Sequence, residues 1–495
     1  MKLKELLRCF SIPDGIGEVW VERISRDPTD ANASALFVLA GRNFDPVEIS
    51  KKAEASGAVA VISDRELFIK NVPTLRVANA RSAYAHAFAA ICGDPQKSME
   101  IYGITGTNGK TSTSYFLQAI LKYCGCDTAL IGTTGIIVNG QKEPFPPEDS
   151  GITQMTTPDP EILYPLLRKL VSQGIRHAVM EVSSHSLALG KVDPIRFKVG
   201  IFTNFSRDHL DFHGSMERYL DAKLKLVSLS EKVVYNGDDS TLYRSLADRG
   251  AVSYGTDRGD YLGCCVRKNE MLGVSYILRY DGAAMRIESP ICGDFTVENT
   301  LAAVAAAIEG GCRPEAVCDA IAAVAAVPGR LQRVPLDGNR FPFSVIIDYA
   351  HTPYALEKLL KCEVFTARKG RLITLFGCGG DRDKGKRAQM GRIAEKYSDR
   401  VFITSDNPRG EDPFAIISDV ISGMNDKKNY TVIPDREDAI TLAFNECEKG
   451  DVLLLVGKGH ETYMVDRSGR RSFSETDIVL RAAQGKLKKG KDHEL

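Results

Sequence analysis

Short runs of aliphatic and β-branched residues recur along nearly the whole chain. Each ends on glycine or polar residues, and most are followed by apolar positions at helical spacing. That alternation predicts parallel strands joined by crossover helices, an α/β fold. In the first hundred residues the runs are 35–38, 58–62 and 74–77. A helical pattern over 82–92 follows, and then 93–97 as a breaker and linker. Further on, strands are expected around Ile101 and over 177–180, 199–202 and 233–235, with a meander of short strands that reads as an antiparallel excursion over 254–288. The tract 301–327 is rich in alanine, but Glu309-Gly310-Gly311 and Arg313-Pro314-Glu315 divide it into two core helices too short to cross a bilayer. Beyond Pro328-Gly329-Arg330 the rhythm resumes over 343–347, 371–376, 401–404 and 452–456. A chain of 495 residues with these breaks divides into three expected domains, 1–98, 99–330 and 331–495.

One junction stands out chemically. Gly103-Ile104-Thr105-Gly106-Thr107-Asn108-Gly109-Lys110-Thr111-Ser112 separates an apolar run from a helical pattern. In that pattern Tyr115, Phe116, Ala119, Ile120 and Tyr123 share one face, with Gly125 as a stop. Glycines let successive N–H groups turn toward one anion, and a helix N-terminus adds positive potential. Lys110 can reach terminal phosphates and Thr111 can hold a divalent cation. The spacing is shorter than in the usual phosphate loop, because Ile104 stands five residues before Gly109. Gly-Lys-Thr between strand and helix nevertheless favours a nucleoside triphosphate cradle over a plain turn.

Other polar groups stand at strand exits, where open α/β sheets bind ligands. Glu181 reads as an oxygen ligand for a Mg²⁺ that accompanies the nucleotide, against the plainer reading of an exposed acid. Asp208-His209 and Asp211-Phe212-His213 fit a Mg²⁺–polyphosphate site better than a zinc cluster, and a structural role for His213 is equally open. The last third of the chain has four such exits: Asp348-Tyr349-Ala350-His351, Gly377-Cys378-Gly379-Gly380, Asp406-Asn407-Pro408-Arg409 and Gly457-Lys458-Gly459-His460-Glu461. Together they suggest a second ligand site. The loop 379–386 reads either as part of that site or as a solvated charge run. Ser25-Arg26 and Gly41-Arg42-Asn43 could hold an anion or be ordinary loop chemistry.

Composition narrows the field. Lys plus Arg equals Asp plus Glu at 64 each, so no bulk charge points to nucleic acid or an anionic membrane. The 12 cysteines lack zinc-site spacing and read as reduced cytosolic thiols. The N-terminus has no secretion signal. Without one, the retention-like Asp492-His493-Glu494-Leu495 reads as coincidence.

The chain resembles the Mur ligases of peptidoglycan synthesis, the ATP-dependent amide-forming family that includes folylpolyglutamate synthase. The likeness covers essentially the whole chain. It rests on Gly106-Thr107-Asn108-Gly109-Lys110-Thr111, Thr156-Thr157-Pro158, Glu181-Val182-Ser183-Ser184-His185 and Thr203-Asn204 with Asp208-His209. It rests also on Tyr219 with Ala222-Lys223, Gly329-Arg330, Asp348-Tyr349-Ala350-His351 and Gly457-Lys458-Gly459-His460-Glu461. With Asp406-Asn407-Pro408-Arg409 added, the pattern is similar to that of enzymes adding meso-diaminopimelate to UDP-N-acetylmuramoyl-L-alanyl-D-glutamate. Lysine-adding relatives and folylpolyglutamate synthase are the alternatives.

The resemblance implies a domain for the uridine nucleotide, a central P-loop ATPase-type parallel sheet, and a C-terminal Rossmann-like domain that brings in the amino acid. It implies that ATP phosphorylates the D-glutamate γ-carboxylate and that the incoming amine displaces phosphate. ATP would be held by Gly106, Thr107, Asn108, Gly109, Lys110, Thr111, Asn299, Arg330, Asp348 and His351. Thr111, Glu181, His209 and Lys223 would hold Mg²⁺, and Lys110, Glu181, His209 and Lys223 would serve catalysis. Lys223 would be carbamylated (N6-carboxylysine) rather than a plain helix-surface lysine. Ser25, Thr156, Thr157, Ser184 and Lys191 would bind the UDP substrate. Arg382, Asp406, Asn407, Arg409, Gly457 and Glu461 would bind the amino acid, with Arg409 a buried grip on its far carboxylate and Glu461 meeting an ammonium. The implied protein is a cytoplasmic monomer with small-molecule substrates and no nucleic-acid or membrane partner.

This chain departs from the family pattern at Leu189 and Lys191, where glutamine and arginine are common, at Thr296 in Phe295-Thr296-Val297, and at Asp45-Pro46. A P-loop ATPase that stops at phosphoryl transfer, or a non-catalytic scaffold, would also carry a phosphate loop. The decorated third domain argues against the first, and intact Lys110, Glu181, His209 and Lys223 against the second.

Overall fold

A computed structural model describes the chain except residues 14, 27–34, 40–44, 68, 145–154, 269–272, 367, 426–428 and 493–495. Gly41-Arg42-Asn43 and the end of the retention-like tail lie outside the described residues. The chain forms two compact units, Met1–Leu262 with Asn299–Val317, and Gly263–Glu298 with Cys318–Leu495.

The first unit contains two sheets. Its N-terminal sheet has four parallel strands in the order Arg23–Ser25, Ala35–Leu39, Ala60–Ser63, Thr74–Arg76. All five side chains of Ala35–Leu39 are buried, as expected of a strand covered on both faces. The helix Ala80–Ile91 buries an alanine-rich face and is capped by Asn79, whose Oδ1 accepts from the N–H groups of Arg81 and Ser82. The expected linker after it is a tight 3₁₀ turn, Pro95–Ser98, in which Pro95 and Gln96 are buried. A proline and a left-handed Asp94 break the helix without freeing the chain.

In the central sheet, parallel strands run in the order Thr128–Gly132, His177–Glu181, Glu100–Thr105, Phe197–Phe202, Ser230–Asn236, Val252–Gly255. Two antiparallel strands, Gly135–Val138 and Gln141–Glu143, extend one edge. The order reverses around Glu100–Thr105, which places its glycine loop at the switch point where doubly wound folds bind ligands. The following helix, Lys110–Tyr123, buries Phe116, Leu117, Ile120 and Leu121, whereas Tyr123 is exposed. The expected face was therefore rotated. Leu117 and Leu121 carry the period against the sheet, and the aromatic Tyr123 at the last turn points to water. Gly125 stops the helix as expected, with φ +83°.

The meander divides in two. Val252–Gly255 pairs in parallel with Tyr261–Lys268, and Val274–Tyr280 pairs antiparallel with Ala283–Ser289. The alanine-rich tract gives the helices Asp294–Glu309 and Glu315–Ala322.

In the second unit, the parallel order is Ser344–Asp348, Val452–Val456, Leu372–Phe376, Arg400–Ile403, Tyr430–Val432, with Gln332–Arg333 antiparallel at one edge. Buried aliphatic runs such as Val452–Val456 make the sheet a two-faced core. Their polar exits fall at one end of the sheet. Among the described residues, no helix is long and apolar enough to cross a membrane.

Candidate active site

The glycine loop follows from backbone sterics. Gly106 (φ +153°) and Gly109 (φ +84°) lie where a side chain is strained, and a β-carbon there would fall on Thr203 Oγ1 or Asn299 Oδ1. Thr203 and Asn204 brace the loop from the next strand. Thr203 Oγ1 donates to Asn108 O at 2.6 Å, and Asn204 Oδ1 accepts from Asn108 N at 2.9 Å. Lys110 Nζ donates to Gly106 O and Thr107 O at 2.8 and 3.0 Å, so the ammonium is held inside the cradle. Thr111 is buried at the first turn of the helix.

Glu181 is fully buried at the end of its strand, and the exposed-acid reading is overturned. Thr133 donates to it twice, from N to Oε1 at 3.1 Å and from Oγ1 to Oε2 at 2.8 Å. These bonds leave lone pairs on both oxygens. The set fits an oxygen-preferring cation. Thr156 Oγ1 lies 3.1 Å from Thr133 Oγ1. Thr157 Oγ1 donates to Glu181 O and accepts from Ser183 N, so it fixes the turn after the strand.

His185, His209, His213, Phe212 and Tyr219 form one aromatic cluster, with ring centroids of His185 and His209 4.8 Å apart. His209 is left-handed (φ +51°) and stands 3.4 Å from Asp208. His213 meets Ser184 Oγ at 3.0 Å rather than an aspartate. Burial and the neighbouring rings push His185 down to about 4, and burial lowers His209 and His213 as well. No zinc-type cluster of three ligands forms among the described residues.

Lys223 is buried, not on the helix surface. Its Nζ lies 4.7 Å from the Tyr219 ring centroid. Burial, reinforced by the Lys110 charge, pushes its ammonium well below the ordinary lysine range.

A cavity of about 230 Å³ is walled by Arg26, Val38, Arg81, Tyr84, Asp159, Pro160, Leu189 and Lys191. Lys191 pairs with Asp159 at 2.5 Å, and Arg26 pairs with Glu161 and covers the Tyr84 ring at 5.0 Å. Ser25 is buried in the adjoining strand.

In the second unit, Asp348 is buried and accepts from Leu331 N and Ala350 N at 2.9 Å each; burial raises its carboxyl despite Arg330. Arg330 lies 4.6 Å over the Tyr349 ring, and His351 Nδ1 is 2.9 Å from Tyr349 O. At the neighbouring exits Asn407 is buried, with Nδ2 donating to Glu461 Oε2 at 2.7 Å. Arg409 (φ +51°) donates from Nη1 to Gly380 O at 2.8 Å. It is half-buried, not buried, because it leans on the loop carrying Gly379 and Gly380. Gly457 adjoins Asp406, whereas Arg382 is exposed. Asp381 N and Arg387 both donate to Glu411, so the loop 379–386 is a braced structure in its first half and solvated beyond it.

The profile of the Mur ligase middle domain matches residues 104–307, and that of the Mur ligase glutamate ligase domain matches 329–459. A UDP-N-acetylmuramoyl-L-alanyl-D-glutamate–2,6-diaminopimelate ligase of Clostridium tetani is 34% identical over 97% of this chain and 98% of its own. One from Geobacillus kaustophilus is 37% identical over 92% of each. The chain belongs to the Mur ligase family.

A solved 2,6-diaminopimelate ligase superposes on this Mur ligase with a TM-score of 0.68 and 28% identity, covering 98% of this chain and 99% of that one. The Thermotoga maritima MurF ligase in complex with ADP shares the fold at 17% identity and a TM-score of 0.57. Its three-domain α/β class is the one expected from the sequence. Two residues of this Mur ligase's sites escape motif reading. Thr133, the brace of Glu181, stands at a strand exit as Glu181 does, and that position was its one signal. Lys458 is fully buried with Nζ 3.1 Å from Glu461 Oε2, so Glu461 already meets an ammonium of the protein. Lys458 stands inside the motif Gly457-Lys458-Gly459-His460-Glu461, in which roles were expected only of Gly457 and Glu461.

Proposed function

We propose that this Mur ligase adds meso-diaminopimelate to the D-glutamate of UDP-N-acetylmuramoyl-L-alanyl-D-glutamate with hydrolysis of ATP; the names of its relatives give UDP-N-acetylmuramoyl-L-alanyl-D-glutamate and 2,6-diaminopimelate. The observation that carries the choice of amino acid is Arg409. Its Nη1 donates to Gly380 O, and Glu461 accepts from Asn407, two residues from Arg409 in sequence, so the site offers a cation to a distal carboxylate and an anion to a distal ammonium. L-Lysine has no carboxylate to return that contact.

The loop from Gly106 to Thr111 holds ATP, with Lys110 on its terminal phosphates. Thr111, Glu181, His209 and Lys223 are the residues that would hold Mg²⁺, Lys223 as its carbamate. Bound Mg²⁺ supplies Lewis-acid stabilisation of phosphate charge. Lys110 stabilises the charge that develops as the D-glutamate γ-carboxylate attacks the γ-phosphorus and ADP leaves. The amine of the incoming amino acid then attacks the acyl phosphate carbon, loses a proton, and expels inorganic phosphate. The lowered Lys223 pKa supports the carbamate, because a neutral amine is the form that takes up CO₂. The cavity walled by Arg26, Arg81 and Lys191 has the charge for a nucleotide diphosphate, with Ser25, Thr156, Thr157 and Ser184 along the same substrate. Asn299, Arg330, Asp348 and His351 serve ATP, and Arg382, Asp406, Asn407 and Gly457 complete the amino-acid site. The domains are 1–98 for the uridine nucleotide, 99–330 for ATP and 331–495 for the amino acid, in a cytoplasmic monomer.

The test is phosphate release from ATP in the presence of UDP-N-acetylmuramoyl-L-alanyl-D-glutamate with meso-diaminopimelate, L-lysine or no amino acid. Release that requires meso-diaminopimelate is expected. Release with L-lysine alone would discard the specificity, and release without any amino acid would discard the ligase.

A further inference from the structure

A lysine is rarely fully buried without a partner, because desolvating an ammonium costs several kcal/mol. Lys458 is 0% exposed, and its Nζ donates to Asn407 Oδ1 and Glu461 Oε2, both at 3.1 Å. The rings of Tyr463 and Phe473 flank it at 5.7 Å. Asn407 is locked by the same array. Val465 N, which can only donate, lies 2.9 Å from Asn407 Oδ1 and so fixes which end of the amide is oxygen. Both lone pairs of that oxygen are then engaged, and Nδ2 spends one hydrogen on Glu461 Oε2 at 2.7 Å. Glu461 Oε2 thus takes two bonds from inside the protein, and Oε1 is the oxygen left to face a ligand.

Resting on the amino-acid site described above, we propose that Lys458, fixed beside Glu461, sets substrate specificity by its charge. Its fixed ammonium compensates part of the Glu461 charge. An incoming distal ammonium therefore meets an attractive carboxylate and, close behind it, a like charge. Meso-diaminopimelate carries an ammonium and a carboxylate at its far end, so the two effects nearly cancel for it. The far end of lysine is a bare cation and bears the repulsion in full. Lys458 thereby discriminates against cationic amino acids, a repulsive element complementing the attractive grip of Arg409.

The experiment is kcat/KM for meso-diaminopimelate and for L-lysine in the parent and in Lys458→Met, with Tm and ADP binding as checks of the fold. In Lys458→Met the preference for meso-diaminopimelate over L-lysine should fall at least tenfold, chiefly through KM. A parallel loss for both amino acids would mean a structural role and overturn the proposal. Because Lys458→Met leaves a carboxylate without its partner, Lys458→Met/Glu461→Gln is compared with Glu461→Gln alone. Because the repulsion comes from the Lys458 charge itself, the double variant should prefer meso-diaminopimelate less than Glu461→Gln does; an equal preference in those two variants would overturn the proposal. So would a double variant that fails to fold where Glu461→Gln folds, since the ammonium would then serve folding. A parent that prefers L-lysine would overturn the substrate reading and this inference together. A parent that prefers meso-diaminopimelate, with an unchanged preference in Lys458→Met, would overturn this inference alone.

Discussion

Thr133 donates its backbone N–H to one oxygen of Glu181 and its hydroxyl to the other, so a single residue fixes both the position and the rotation of a fully buried carboxylate. Supports of this kind typically change metal affinity or activity by about 10–100-fold. Thr133→Val keeps the shape and the N–H but removes the hydroxyl. Its Mg²⁺ requirement, read as activity against Mg²⁺ concentration, should rise by about tenfold. An unchanged Mg²⁺ profile would remove Glu181 from the metal site.

Lys110→Ala should abolish ATP-dependent ligation, since the ammonium held by Gly106 O and Thr107 O is the cation of the phosphate loop. Phosphate release within a few-fold of the parent would refute the cradle.

Lys223→Ala should be nearly inactive and partly rescued by a short-chain carboxylic acid, which restores oxygen ligands in the buried space beside Tyr219. Rescue is measured as phosphate release against added acid. Full activity of the variant without rescue would exclude a carbamate.

Arg409→Lys keeps the charge but loses the planar fork. Loss of a charge-assisted hydrogen bond at a half-buried site is about 2 kcal/mol, or roughly 30-fold in kcat/KM for meso-diaminopimelate. Isothermal titration and steady-state kinetics should agree on that loss. Equal values for parent and variant would place the distal carboxylate elsewhere.

Glu411 is held down to about 2, first by Arg387 and then by Asp381 N–H. A depressed carboxyl contributes stability that is present above its unfolded value, 4.5, and is lost as pH falls toward 2. Thermal scans of Glu411→Gln should therefore show a smaller fall in Tm than the parent between about pH 4.5 and 2. Parallel curves would show that the Arg387 pairing contributes nothing.

The strand–helix rhythm, the glycine loop and the polar strand exits are legible along the chain because they depend on local periods and backbone sterics. Gly106 and Gly109 must be glycine for positive φ and close approach, and a strand that ends on Glu181 or Asp406 announces its exit by the change from apolar to polar. Burial across the fold is not local. Whether Glu181 and Lys223 lie inside, whether Arg409 is buried or half-exposed, and which face of Lys110–Tyr123 meets the sheet depended on neighbours distant in sequence. Thr133 and Lys458 show the limit most clearly. Their chemistry depends on partners brought close by the fold: Glu181 lies 48 residues from Thr133, and Asn407 lies 51 from Lys458, whose other partner, Glu461, is three residues away. The sequence by itself determined which residue types stand at the strand ends; only the tertiary structure decided which of them are desolvated against one another, because desolvation is a property of the packed neighbourhood and not of spacing along the chain.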